Sequence, residues 1–158
     1  MPRETGFIKK QVAEITGLNP SKIQFYTDQH LIIPEIDAPK GRGTRRVYSK
    51  KNVIEIMILS RLVEKGISLE DSGIFLVSLN AGREIMEKVD REHNPWNFTN
   101  WLKKDCIYIV IHKKKVGGSV ASIEMFDAED SITLSISSAT EIVYVIDITD
   151  LKKFIKEG

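Results

Sequence analysis

The spacing of apolar residues changes once along the chain, near Pro95. Before that point they recur every three or four positions, the period of helices with one buried face; after it they alternate or run together, the pattern of strands. From Lys9 to Thr16, Val12, Ala13 and Ile15 mark one edge of a short helix. Thr5 is placed to cap it, Phe7-Ile8 to staple its start, and Gly17 to end it in a left-handed conformation. Asn19 is then a good N-cap and Pro20 a good first residue for a second helix, Ser21 to Gln29, with Ile23 and Phe25 or Tyr26 at a buried edge. Two short helices joined by about three residues containing Gly make a helix-turn-helix.

Leu31-Ile32-Ile33 reads as a strand stopped by Pro34, and Arg46-Val47-Tyr48 as the strand that pairs back with it. Ser49 opens a long helix, Lys51 to Lys65, with Val53, Ile56, Met57, Ile58, Leu62 and Val63 apolar, and Gly66 ends it. Ser68-Leu69-Glu70-Asp71 is a second capping signal, for a helix to about Leu79. A weaker helix runs from about Ala81 to Glu92 and stops before Asn94-Pro95. Beyond it, Cys106 to Ile111 is a continuous apolar run suited to a strand at a sheet centre. Residues 121–125 and 132–136 alternate, and Glu141 to Ile146 makes a fourth strand. A last helix, Asp150 to Lys156, is capped by Asp147 or Thr149. Short polar joints favour antiparallel pairing. The expected fold is a mainly α winged helix-turn-helix domain followed by a small α+β domain with an antiparallel sheet of about four strands. Its parts are residues 1–80, a connecting or dimerisation helix at 81–94, and an effector or dimerisation domain at 95–158.

Between the paired strands lies the densest chemistry of the chain. Residues 40–46 read KGRGTRR, four cations and two glycines in seven positions. A glycine-bearing turn carrying cations suits a phosphate backbone. The net charge of +1 hides an asymmetry: residues 1–65 carry twelve Lys and Arg against seven Asp and Glu, residues 66–158 eleven against fifteen. A basic first half and an acidic second half fit a nucleic-acid-binding head on a different body. No apolar run reaches the length of a membrane span or signal peptide, so a cytoplasmic, nucleoid-associated location is expected. Cys106 is the one cysteine, and His30 and His112 have no ligand-spaced partners, so no metal or cofactor is expected. No phosphate-binding glycine motif, nucleophile elbow or acid–base pair appears, and the chain reads as a non-enzyme.

The order of these elements resembles the MerR family of bacterial transcription regulators over about residues 7–79. The residues that carry the resemblance are Val12-Ala13, Gly17-Leu18-Asn19-Pro20, Phe25-Tyr26, Leu31-Ile32-Ile33-Pro34, Arg45-Arg46-Val47-Tyr48-Ser49 and the run from Leu62 to Glu70. The resemblance implies that the second helix enters the major groove while the wing grips phosphates beside it. It also implies a homodimer on a palindromic promoter operator, with RNA polymerase as a further partner. Three departures count. Gln24 stands where the family often has Arg, and Thr27 where an acidic residue is usual. The long coiled coil that usually builds the dimer has only helix 81–92 to represent it, with Ile85, Met86 and Val89 on one edge.

These readings give a DNA-contact set of Ser21, Lys22, Gln24 and Tyr26 on the second helix, and Lys40, Arg42, Arg45, Arg46 and Tyr48 on the wing. Phe25 reads as core. The aromatic cluster of His93, Trp96, Phe98 and Trp101 reads foremost as a satellite core. Trp96, Phe98 and Trp101 are also the candidates for binding an unidentified small-molecule effector, because multidrug sensors of the family use aromatic pockets. The second basic loop, Lys113 to Gly118, reads as a solvated hairpin turn. Two alternatives belong to other classes: an architectural, excisionase-like accessory protein, which would bend DNA at several sites without affecting initiation, and a protein-interaction module working through the C-terminal sheet.

Overall fold

In a computed structural model, residues 6–36, 45–77, 80, 107–114, 116–117, 120–127, 140–147 and 149–151 are described. The chain forms two units, Met1–Ser60 and Arg61–Gly158.

The first unit opens with β1 (Phe7–Ile8) and α1 (Lys9–Thr16). The Ile8 amide donates to Gln11 Oε1 at 3.0 Å, a side-chain cap at the helix start; Thr5, the expected cap, lies outside the described residues. Gly17 closes α1 with φ 70°, its amide donating to the Ala13 carbonyl at 2.9 Å, as the sequence predicts. Asn19 then caps α2 (Pro20–Asp28), its Oδ1 accepting from the Ser21 amide at 2.8 Å, with Pro20 in the first turn.

The chain after α2 departs from expectation. Leu31-Ile32-Ile33 is not a strand. His30 takes a left-handed φ of 58°, and the amides of Leu31 and Ile32 both donate to the Tyr26 carbonyl. Those amides serve the helix end and are lost to any ladder. Ile32 is buried while Ile33 is 66% exposed, so the apolar run plugs the core with one residue. The strand that was expected to pair with it, β2 (Val47–Tyr48), pairs instead with β1: Phe7 faces Tyr48 and Ile8 faces Val47, antiparallel. Gly6 permits this closeness, since a Cβ there would meet Val47 Cγ1 at 2.2 Å and Ile36 Cδ1 at 2.7 Å.

α3 (Lys50–Glu64) follows at once, capped reciprocally: the Asn52 amide donates to Ser49 Oγ and the Ser49 amide to Asn52 Oδ1, each at 3.1 Å. Val53, Ile54, Ile56, Ile58, Leu59 and Leu62 are all buried. A helix apolar around most of its circumference is a central core element rather than a surface one. Asn52, itself buried, gathers the chain on either side of residues 37–44. Its Oδ1 also accepts from the Glu35 amide, and its Nδ2 donates to the Ile33 carbonyl and to Glu55 Oε2. The Ser49 hydroxyl donates to Glu35 Oε2 at 2.9 Å, and Lys51 pairs with both Glu35 and Glu55.

In the second unit, Gly66 ends α3 and the Ile67 amide returns to the Leu62 carbonyl at 3.1 Å. Ser68 caps α4, a helix over 69–77, its Oγ accepting from the Asp71 amide at 3.0 Å. The sheet contains β3 (Ile107–Lys114), β4 (Val120–Asp127) and β5 (Thr140–Asp147), antiparallel, in the order β4-β3-β5. Ile111 pairs with Ile123 on one side and Tyr144 on the other; the register shifts after Ile111 in the ladder with β5 and after His112 in the ladder with β4. The apolar run at 106–111 predicts this central place for β3. The expected strand at 132–136, the helix at 81–92 and most of the terminal helix lie outside the described residues, so three strands stand where about four were expected. Val116 and Gly117 form the turn between β3 and β4, matching the hairpin reading of that basic loop. Arg61 grips the Asp150 carboxylate with both terminal nitrogens, Nη1 at 2.7 Å. Thr149 donates its amide to Asp147 Oδ1 at 2.8 Å.

Candidate nucleic-acid interface

The helix-turn-helix presents α2 by burying one face and freeing the other. Ile23, Tyr26 and Thr27 are buried; Ser21, Phe25 and Asp28 are exposed along one edge, three and four residues apart. Phe25, expected in the core, is 46% exposed. The core takes Tyr26 in its place, at 1%, and Tyr48, at 0%. Tyr26 and Tyr48, both expected among the DNA contacts, are thus buried within the chain. The period explains the exchange: Tyr26 and Thr27, three and four residues after Ile23, flank it on one face of the helix, while Phe25, two residues after it, turns outward. Thr27 Oγ1 donates to the Ile23 carbonyl at 2.9 Å and bonds the Tyr48 hydroxyl at 3.0 Å. A threonine therefore fills the position where an acid is usual, and it joins α2 to β2.

Gln24 has a comparable internal task. Its Oε1 accepts from Lys9 Nζ at 3.0 Å, and its Nε2 donates to both Asp28 oxygens, at 3.0 and 2.9 Å. Asp28 also pairs with Arg46 Nη2 at 2.7 Å. One polar chain thus runs Lys9–Gln24–Asp28–Arg46 and joins the start of α1, the outer side of α2 and the entry to β2. The Gln24 amide first, and then the Arg46 guanidinium, holds the Asp28 carboxyl below its usual range. Lys22, half-buried, turns its Nζ toward Ser60 Oγ at 3.5 Å, with the Tyr26 ring centroid 6.0 Å away.

Beside this chain lies a concavity of ≈ 420 Å³ lined by Ile8, Lys9, Lys10, Gln24, Arg45, Arg46 and Tyr48. Among the described residues, four cations and no carboxylate line it. Of the DNA contacts expected from sequence, Gln24, Arg45, Arg46 and Tyr48 line this concavity, and Ser21 is exposed on the neighbouring edge of α2. Lys40 and Arg42 lie outside the described residues, as do His93, Trp96, Phe98, Trp101 and Cys106. Sequence reasoning missed Lys9, Lys10 and Asp28. One signal was available for the lysines: cations in the first turn oppose the helix dipole, so a pair there has little structural reason to exist. Asp28 gave no such signal, because its partner Arg46 is 18 residues away. Among the described residues no helix is long and apolar enough to cross a membrane.

Residues 9–76 match the family model of the MerR HTH family regulatory protein. An uncharacterised HTH-type transcriptional regulator of Mycobacterium tuberculosis is 29% identical over 66 residues, 42% of this chain and 29% of that protein, and a Mycobacterium bovis protein matches equally. The HTH-type transcriptional regulator CueR of Escherichia coli is 34% identical over 62 residues, 39% of this chain and 44% of that one. The chain thus matches less than half the length of each of these relatives. Residues 9–76 carry a MerR-type helix-turn-helix.

Proposed function

We propose that the protein is a MerR-type transcription regulator that binds a palindromic promoter operator as a homodimer. The observation that carries this reading is a juxtaposition within the MerR-type segment: the exposed edge of α2, with Ser21 and Phe25, stands beside a concavity lined by four cations. Cations supply salt-dependent attraction to phosphates; side chains at the start of α2 supply sequence preference. Ser21 offers a hydroxyl to a base edge or phosphate. Lys22 and the wing residues Lys40, Arg42, Arg45 and Arg46 supply charge, and Gln24 an amide. Two-fold symmetry sets two such helices near one or two helical turns apart, about 34 Å per turn. RNA polymerase is the further partner where the site lies in a promoter. Residues 95–158 serve as an effector or dimerisation module, with Trp96, Phe98 and Trp101 as the candidate effector contacts.

Genomic binding with strand-resolved footprints tests the reading. A two-fold symmetric footprint within a promoter, accompanied by a change in its transcription on deletion of the protein, is expected. Bending at many scattered sites with no effect on initiation would instead favour the architectural alternative and reject regulation.

A further inference from the structure

The cations of the concavity come from two places, and only Arg45 and Arg46 belong to the wing. We propose that Lys9 and Lys10, at the start of α1, join Arg45 and Arg46 to seat a backbone phosphate of duplex DNA on the flank of α2. The inference deepens the DNA-binding reading above and rests on it.

Three observations converge. First, α1 has no acidic residue in its first turn and begins with two lysines. The positive end of a helix disfavours both, and an anion arriving from outside relieves the dipole and the side chains together. Second, the charge of the concavity is only partly met from within. Asp28 engages Arg46 through Nη2, while Arg46 Nη1 is buried and has no hydrogen-bond partner among the described residues. Lys9 is held at 3.0 Å by the uncharged oxygen of Gln24. Lys10 is exposed, and neither it nor Arg45 has an ion-pair partner among the described residues. Third, the four cations line one concavity together with Gln24, Ile8 and Tyr48. A phosphodiester, with one charge shared by two oxygens, suits a guanidinium fork on one side and ammonium groups on the other. The Gln24 bridge fixes Lys9 against α2, so the position of this seat is tied to that of the α2 edge.

The test measures binding of the full chain to a mixed-sequence duplex across a salt series, beside Lys10→Ala, Lys10→Arg and Lys9→Ala/Lys10→Ala. Circular dichroism verifies that each variant is folded. Wild-type binding should weaken linearly in the logarithm of salt, with the slope falling in Lys10→Ala and falling by about 1, the share of one phosphate, in the double variant. Lys10→Arg should keep the wild-type slope. An unchanged slope in the double variant, with wild-type DNA binding intact, overturns the seat and spares the DNA-binding reading. Failure of the wild type to bind any duplex overturns both. A parallel titration with inorganic phosphate separates the sources: saturable binding of the free anion, lost in the double variant while DNA slopes stay equal, assigns the site to a small phosphate and rejects the DNA seat.

Discussion

At the scale of single residues, the two buried tyrosines make opposite predictions. The Tyr48 hydroxyl has a partner, Thr27 Oγ1, and Tyr48→Phe should cost about 1 kcal/mol by chemical denaturation. The Tyr26 hydroxyl is buried with no partner among the described residues, so Tyr26→Phe should leave stability unchanged or raise it. Because Tyr26 is enclosed and lies outside the concavity's lining, Tyr26→Phe should not move DNA affinity by more than a small factor. Asp28 governs a different balance. Its carboxyl is held below the usual value of 3.8 in the folded chain, so the ion it forms stabilises the fold above that pH and ceases to do so as pH falls through the lowered value. Wild type and Asp28→Asn, compared by denaturation across pH, should therefore differ near neutrality and converge in acid. Arg46→Ala should weaken DNA binding more than Arg45→Ala, because it also leaves the Asp28 charge uncompensated beside the duplex. Restoration of much of that loss by Asp28→Asn/Arg46→Ala in a binding titration would verify the coupling.

At the scale of elements, Asn52 is the most consequential side chain. It is buried, and both its oxygen and its nitrogen are shared between the segment ending at Glu35 and the start of α3. Asn52→Ala should cost roughly 2–4 kcal/mol, read as a shift in denaturation midpoint, because several buried groups lose their partners at once. Much of this level was legible in the sequence. Gly17, Asn19-Pro20, Ser49, Gly66 and Ser68 each carry local capping chemistry, and each acts where that chemistry predicts. The β1–β2 pairing was not legible, because its two strands are two residues long and lie about 40 positions apart, with the pairing set by Gly6 and by the closure of α2. The apolar run at 31–33 misled for a related reason: composition marks a strand, but the left-handed His30 and the Tyr26 carbonyl take its amides. The exposed edge of α2 was half legible. Periodicity identified a buried face at Ile23 but left Phe25 and Tyr26 interchangeable.

For the whole molecule, the proposed role of residues 95–158 in assembly makes a prediction of its own. If residues 95–158 build the homodimer, a chain ending before Pro95 should sediment as a monomer and bind an operator half-site weakly, while the full chain sediments as a dimer. An intact dimer in the shortened chain would move that role to the helix expected at 81–92. Asn52 has one more consequence, for descent rather than for stability. The segment between Glu35 and Ser49 starts and finishes on the same side chain, so its closure is secured independently of residues 37–44. Those residues can be exchanged, or altered in length, at a small entropic cost and without redesign of the helices around them. Selection can therefore retune how strongly this protein holds its target by editing residues 37–44, leaving untouched the core that folds it.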